Sequence, residues 1–153
     1  MTEQKLAEQN KQRTDGRPTP YPKTAACACG RITATVMAAP HMVHACSCLD
    51  CQRRSGSAFS YTAFFPETAV TIGGEPTRWR DTSSKAGRWS ETNFCPACGV
   101  AVFTRLEALP GVMCVPVGCF REPDFPAPAK LYWSSRRHRW LELPSGVEPI
   151  ETQ

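Results

Sequence analysis

Cys46-Ser47-Cys48-Leu49-Asp50-Cys51 sets three thiols within six residues, too crowded for a disulfide network and well spaced to grip a soft metal. Sulfurs bound tetrahedrally to zinc lie ~2.3 Å from the ion and so roughly 3.8 Å from one another, a separation that C-x-C and C-x-x-C both reach. Two further pairs, Cys27-Ala28-Cys29 and Cys95-Pro96-Ala97-Cys98, bring the clustered thiols to seven in three local groups. That arithmetic predicts one closed four-sulfur site and one three-sulfur site with an open position, with the fold organised around both.

The 153 residues, 41% of them hydrophobic, suffice for one core and give no reason to expect two full domains. Nine cysteines, an odd number clustered as C-x-C and C-x-x-C, read as metal ligands rather than as an extracellular disulfide framework. The first residues carry no apolar run behind a basic start, and no run of about 18 apolar residues occurs. The expectation is a soluble, cytoplasmic protein with no membrane contact. A net charge of +4, with acidic residues scattered among the basic ones, does not by itself call for nucleic acid.

Residues 1–24 are polar and proline-rich toward their end, and read as a flexible arm with a helical turn near Leu6. The domain is expected over 25–145 and a C-terminal tail over 146–153. Arg31-Ile32-Thr33-Ala34-Thr35-Val36 alternates at period two, the mark of a strand with one buried face. His41-Met42-Val43-His44-Ala45 reads as a second strand delivering Cys46, followed by a polar turn, Gln52-Arg53-Arg54-Ser55-Gly56-Ser57. Phe59, Tyr61, Ala63 and Phe65 mark a third, ended by Pro66. Val70 and Ile72 lead to Gly73-Gly74, a hairpin signal. Strands are further expected around 78–80, 88–94, 100–103 and 112–117, a loop over 122–128, and apolar anchors at 131–133 and 140–143. No long helical period is visible, so the fold reads as mainly β and mostly antiparallel.

Cys95-Pro96-Ala97-Cys98-Gly99 has the chemistry of a zinc knuckle. Amides in the tight turn offset the sulfur charge, and the glycine tolerates the positive φ that closes it. A redox reading of C-x-x-C wants a βαβ setting, and here strands lie on both sides. Cys27-Ala28-Cys29-Gly30 is a tighter pair whose sulfurs share one face. Joined to the knuckle it makes a closed structural site; spacing alone equally allows Cys46 and Cys48 to join the knuckle instead. For the three-cysteine group, His44 and Asp50 are the nearby candidates for a fourth ligand. A buried, hydrogen-bonded histidine and a solvated carboxylate are the alternatives, and in that case the fourth position belongs to water or a substrate thiol. Cys114, in an apolar strand, reads as a small core residue, and Cys119, after Gly118 at a strand end, as a core residue with a pocket-facing thiol as the alternative.

The order C-x-C-G, then C-x-C-x-x-C before a basic turn containing Ser-Gly, then F-C-P-x-C-G, resembles the glutathione-dependent formaldehyde-activating enzyme family, which also includes centromere protein V. The resemblance runs from about Cys27 to Leu143. It implies an Mss4-like antiparallel β fold organised around two zinc sites. It also implies that Cys27, Cys29, Cys95 and Cys98 hold a structural zinc, while Cys46, Cys48 and Cys51 hold the catalytic one. The implied activity is a carbon-sulfur lyase type, joining glutathione and formaldehyde into S-hydroxymethylglutathione. The chain departs from the family pattern at Gly118-Cys119-Phe120-Arg121-Glu122 and at Lys130-Leu131-Tyr132-Trp133, two segments able to line the pocket in the family fold.

Zinc with an open position lowers the pKa of a bound thiol or polarises an aldehyde oxygen, and three thiolate ligands favour thiol exchange over water activation. The expected substrate contacts are Arg53 and Arg54, with the backbone around Ser55 and Gly56, holding the carboxylates of a glutathione-like thiol. Phe59, Tyr61 and Trp89 are candidate pocket walls or core residues. The rival is a non-catalytic zinc module, with Arg136-Arg137-His138-Arg139 between Trp133 and Trp140 as a nucleic-acid or protein contact. The sequence leaves assembly open, a homodimer included.

Overall fold

The computed structural model describes residues 20–82 and 87–152; the expected helical turn near Leu6 lies outside them. The strands are β1 (Lys23–Ala26), β2 (Thr33–Val36), β3 (Met42–Cys46), β4 (Ser60–Pro66), β5 (Val70–Gly73), β6 (Thr77–Asp81), β7 (Ser90–Phe94), β8 (Ala101–Leu106), β9 (Val112–Pro116), β10 (Lys130–Tyr132) and β11 (Glu148–Ile150). One α-helix among the described residues, α1 (Leu49–Ser55), follows β3. The mainly β expectation holds.

The strands form two sheets. A three-stranded one runs in the order β1-β2-β5, and an eight-stranded one in the order β11-β10-β3-β4-β9-β8-β7-β6. All pairings are antiparallel except those of β10, which lies parallel to both β3 and β11. Residues paired across neighbouring strands share a face, and faces alternate along each strand. Val43, Ala63 and Val115 are in register on one face of the large sheet, and Phe65 with Met113 on the same face. These side chains join Ala25, Ala34 and Val36 of the small sheet in one buried cluster. Phe120 and Phe125 stack in that cluster with ring centroids 4.9 Å apart. Each fully buried aliphatic or aromatic side chain there contributes about 1.5–3 kcal/mol.

Several local expectations are corrected. The polar turn after Cys51 is the helix α1, too short for an apolar period and with no buried residue. It is held by its ends: the Cys48 sulfur accepts from the Cys51 amide at 3.3 Å, and Gly56, at φ 61°, donates its N–H to the Gln52 carbonyl. Gly73-Gly74 is not a hairpin, because β5 and β6 belong to different sheets. Glycine is required there by close approach: a Cβ on Gly73 would meet the Thr33 hydroxyl at 2.5 Å, and one on Gly74 the Arg31 carbonyl oxygen. Trp140 is no core anchor, being 70% exposed. Residues 148–150 of the expected tail pair with β10, and Lys23 and Thr24 of the expected arm lie in β1. No helix among the described residues is long and apolar enough to cross a membrane.

Candidate metal centres

Two turns of like build present the first cluster. Cys27 donates its amide to the Ile32 carbonyl and Gly30 donates to Cys27; equally, Cys95 donates to Val100 and Gly99 to Cys95. Gly30 and Gly99 stand at φ 77° and 74°, the left-handed conformation that closes each turn. One turn follows β1 of the small sheet and the other follows β7 of the large one, so the four sulfurs meet between the sheets. Cys27 to Cys29 and Cys29 to Cys95 are each 3.6 Å, close to the separation of thiolates on one tetrahedral ion. The Ile32 amide points at the Cys27 sulfur at 3.3 Å. Backbone amides likewise hold the Cys98 thiol down to about 6. Cys27 and Cys95 are buried, and the donor set fits a closed zinc site.

The second cluster is Cys46, Cys48 and Cys51, whose sulfurs all lie within 4.8 Å of one another. Cys46 ends β3 and is buried; Cys48 caps α1, and Cys51 lies in its first turn. The Cys46 thiol is pushed up, first by its bond to Cys51 and then by burial. Cys51 goes the other way, to about 5, held there by hydrogen bonds from Cys46 and Ser60 and by the Arg54 charge. Arg54 reaches the Cys51 sulfur at 3.9 Å. Three soft donors with no further cysteine, histidine or carboxylate among the described residues within the cluster suit a metal that keeps one position free.

Neither expected fourth ligand joins them. Asp50 is exposed. His44 shares the sheet face of Cys46 but is enclosed by the rings of Phe64 and Tyr132, at 4.3 and 5.0 Å. It is not the hydrogen-bonded core histidine of the other reading either, since its buried Nδ1 has no partner. Burial lowers its pKa to about 4, so it is neutral. Cys114 is buried as expected, and burial pushes its thiol up to about 12. Cys119 is half-buried against the core and donates to the Ala101 carbonyl.

Of the expected substrate contacts, Arg53 and Arg54 are exposed in the last turn of α1. Ser55 and Gly56 have other partners. The Ser55 hydroxyl donates to the carbonyls of Gln52 and Phe59, and the Gly56 amide is taken by the helix cap. Tyr61 is not a wall of this site: its register partner is Ala45, so it faces the core, away from Cys46, and its hydroxyl donates to the Pro126 carbonyl. Trp89 is half-buried under the Arg80 guanidinium at 4.3 Å, and Phe59 is half-buried beside Ser60. Segment 118–122 sits by the four-sulfur cage, where Cys119 feels the Cys27 charge and Glu122 pairs with Lys23. Segment 130–132 does border the second cluster, Tyr132 being in register with Cys46.

Gln52, expected only as part of a polar turn, holds contacts across the fold. Gln52 donates from Nε2 to the Ser47 carbonyl at 2.8 Å and the Arg136 carbonyl at 3.1 Å, and its Oε1 meets His138 Nε2 at 3.0 Å. Its partners on the far segment lie 84 and 86 residues away, and no local pattern announces contacts of that span.

The model of the family described as glutathione-dependent formaldehyde-activating enzyme matches residues 22–136. The chain belongs to that family. The formaldehyde-activating family match embraces all seven clustered cysteines and α1. A crystal structure of a Rhodobacter sphaeroides protein, solved as a structural-genomics target, is similar at 20% identity and a TM-score of 0.49, covering 65% of this chain and 91% of that one. No curated protein matches.

Proposed function

We propose that this chain is a cytoplasmic, zinc-dependent enzyme of carbon-sulfur bond chemistry with an Mss4-like fold, binding two zinc ions. Its reaction adds a low-molecular-weight thiol such as glutathione to formaldehyde, giving S-hydroxymethylglutathione, and cleaves the adduct in reverse. The observation that carries this reading is the contrast between a four-sulfur cage and a three-sulfur cluster that no fourth cysteine, histidine or carboxylate among the described residues completes.

Cys46, Cys48 and Cys51 would hold a zinc ion, which when bound would lower the pKa of a thiol at its open position. The protein's own groups do the rest. Arg54, beside the Cys51 sulfur, offsets the charge that gathers where several thiolates meet. Arg53 and Arg54 together attract an anionic thiol to the end of α1, while Ser55 and Gly56 fix the turn that presents them. In the addition, the thiol sulfur bonds to the carbonyl carbon and the carbonyl π pair moves to oxygen. That oxygen takes up the proton the thiol has lost, so atoms and charge balance with no oxidant. The four-sulfur cage at Cys27, Cys29, Cys95 and Cys98 has no role in the chemistry and holds the two sheets together.

Exchange NMR of glutathione and formaldehyde with the zinc-loaded protein tests the reading. Acceleration is expected, abolished in Cys48→Ser, whose near-ultraviolet circular dichroism stays that of the wild type. No acceleration at full zinc occupancy would remove the assigned reaction. Unfolding of Cys48→Ser together with unaccelerated exchange would leave a module whose metals are structural.

A further inference from the structure

The segment 133–140 is joined to the three-cysteine cluster by geometry that the assigned reaction does not use. Trp133 leaves β10 at φ 53°, a conformation costly for a bulky residue. The strained step turns the chain so that the Arg136 carbonyl and the His138 ring both meet Gln52, the residue after Cys51. Arg137 stiffens the loop, donating to the carbonyls of Ser134 and Leu141. Arg136 lies over the Trp133 ring at 4.6 Å, and the His138 ring meets that of Trp140 at 6.1 Å.

The result is a fixed, exposed basic and aromatic surface abutting α1. None of the ion pairs among the described residues uses Arg53, Arg54, Arg136 or Arg139. Four guanidinium groups without a carboxylate partner, Arg54 beside the Cys51 sulfur and Arg136 stacked on Trp133, give this side of α1 a surface suited to anions. The anion must be small enough for its thiol to reach the sulfurs of Cys48 and Cys51.

Resting on the function proposed above, we infer that segment 133–140, latched to α1 through Gln52, is the second wall of the thiol cleft and makes it selective for thiols that carry carboxylates. Arg136 and Arg139 bind the acidic end of the thiol, opposite Arg53 and Arg54, and Gln52 keeps the walls at a fixed separation.

The test measures dissociation constants by NMR titration of the zinc-loaded protein, with glutathione and with its diethyl ester, in which both carboxylates are masked. Wild type is expected to favour glutathione by about tenfold or more, the usual effect of a charge-assisted hydrogen bond. The Arg136→Ala/Arg139→Ala protein, altered only at exposed side chains and keeping Arg53 and Arg54, is expected to lower that ratio severalfold while leaving ester binding unchanged. Gln52→Leu is expected to weaken the preference without loss of zinc. A wild-type ratio near one, with the ester bound, overturns the wall alone. A ratio that the double variant leaves intact does the same. If neither thiol binds at full zinc occupancy, the assigned reaction falls and the wall with it. Salt-steep retention of an oligonucleotide that the double variant abolishes, with the thiol ratio unmoved, would give the surface to nucleic acid instead.

Discussion

Replacing Cys29 by serine opens the four-sulfur cage, and the structure says how much that should matter. Cys29 and Cys95 are 66 residues apart in the chain and 3.6 Å apart in space, so a metal between them closes a long loop. Treated as a cross-link, a loop of that length restricts the unfolded chain by about 4 kcal/mol, a large share of the ~5–15 kcal/mol that holds a domain folded. Urea unfolding followed by tryptophan fluorescence should therefore show Cys29→Ser losing about 2 M in midpoint for an m-value near 2 kcal/mol/M. Chelator should bring wild type down to the same midpoint or below it. The comparison is Cys51→Ser, whose cluster spans 46–51 and whose closed loop is worth about 2 kcal/mol by the same relation. The reasoning fails if Cys29→Ser, shown by elemental analysis to have lost one equivalent of metal, unfolds at the wild-type midpoint. It fails equally if Cys51→Ser is the more destabilised of the two.

Gly74→Ala places a methyl group against the Arg31 carbonyl and the Ile32 side chain at a φ of +82°; thermal denaturation should show a loss of about 2 kcal/mol or more. Glu91 is buried on β7 and paired at 2.8 Å with Arg80, its partner in register on β6. The Arg80 hydrogen bond holds its carboxyl below the ordinary value of 4.5. A depressed folded-state pKa gives stability that is full above the unfolded value and lost as pH falls through the folded one. Glu91→Gln should therefore lower stability by about 1–2 kcal/mol at neutral pH, and the urea midpoints of the two proteins should draw together as pH falls from 4.5 through the lower pKa of the folded state.

What could be read from the sequence was local. The C-x-C-G and C-P-x-C-G turns announce themselves because their ligands, their glycines and their closing amides all lie within six residues. The strand alternation of 31–36 and the stop at Pro66 are legible for the same reason. Helix α1 was hidden because seven residues are too few for an apolar period, and its cap is a cysteine sulfur rather than a hydroxyl or carboxylate. Gly73-Gly74 carried the residues of a hairpin but serves close packing against Arg31 and Thr33. Tyr61 satisfied the period-two pattern, yet which face holds the cysteines follows only from its register opposite Ala45. The contacts of Gln52, and the parallel placement of β10 beside β3, join segments more than eighty residues apart. Local preference says nothing about them.

The position of β10 also sets an order of events on the ribosome. Until residues 130–132 emerge, β3 has a neighbour only on its β4 side, and the strand that ends in Cys46 is a raw edge of the nascent sheet. The thiols of 46–51 precede by roughly eighty residues the strand that closes the sheet beside them. A ribosome stalled before Lys130 would thereby display the three sulfurs on an unfinished border of the sheet.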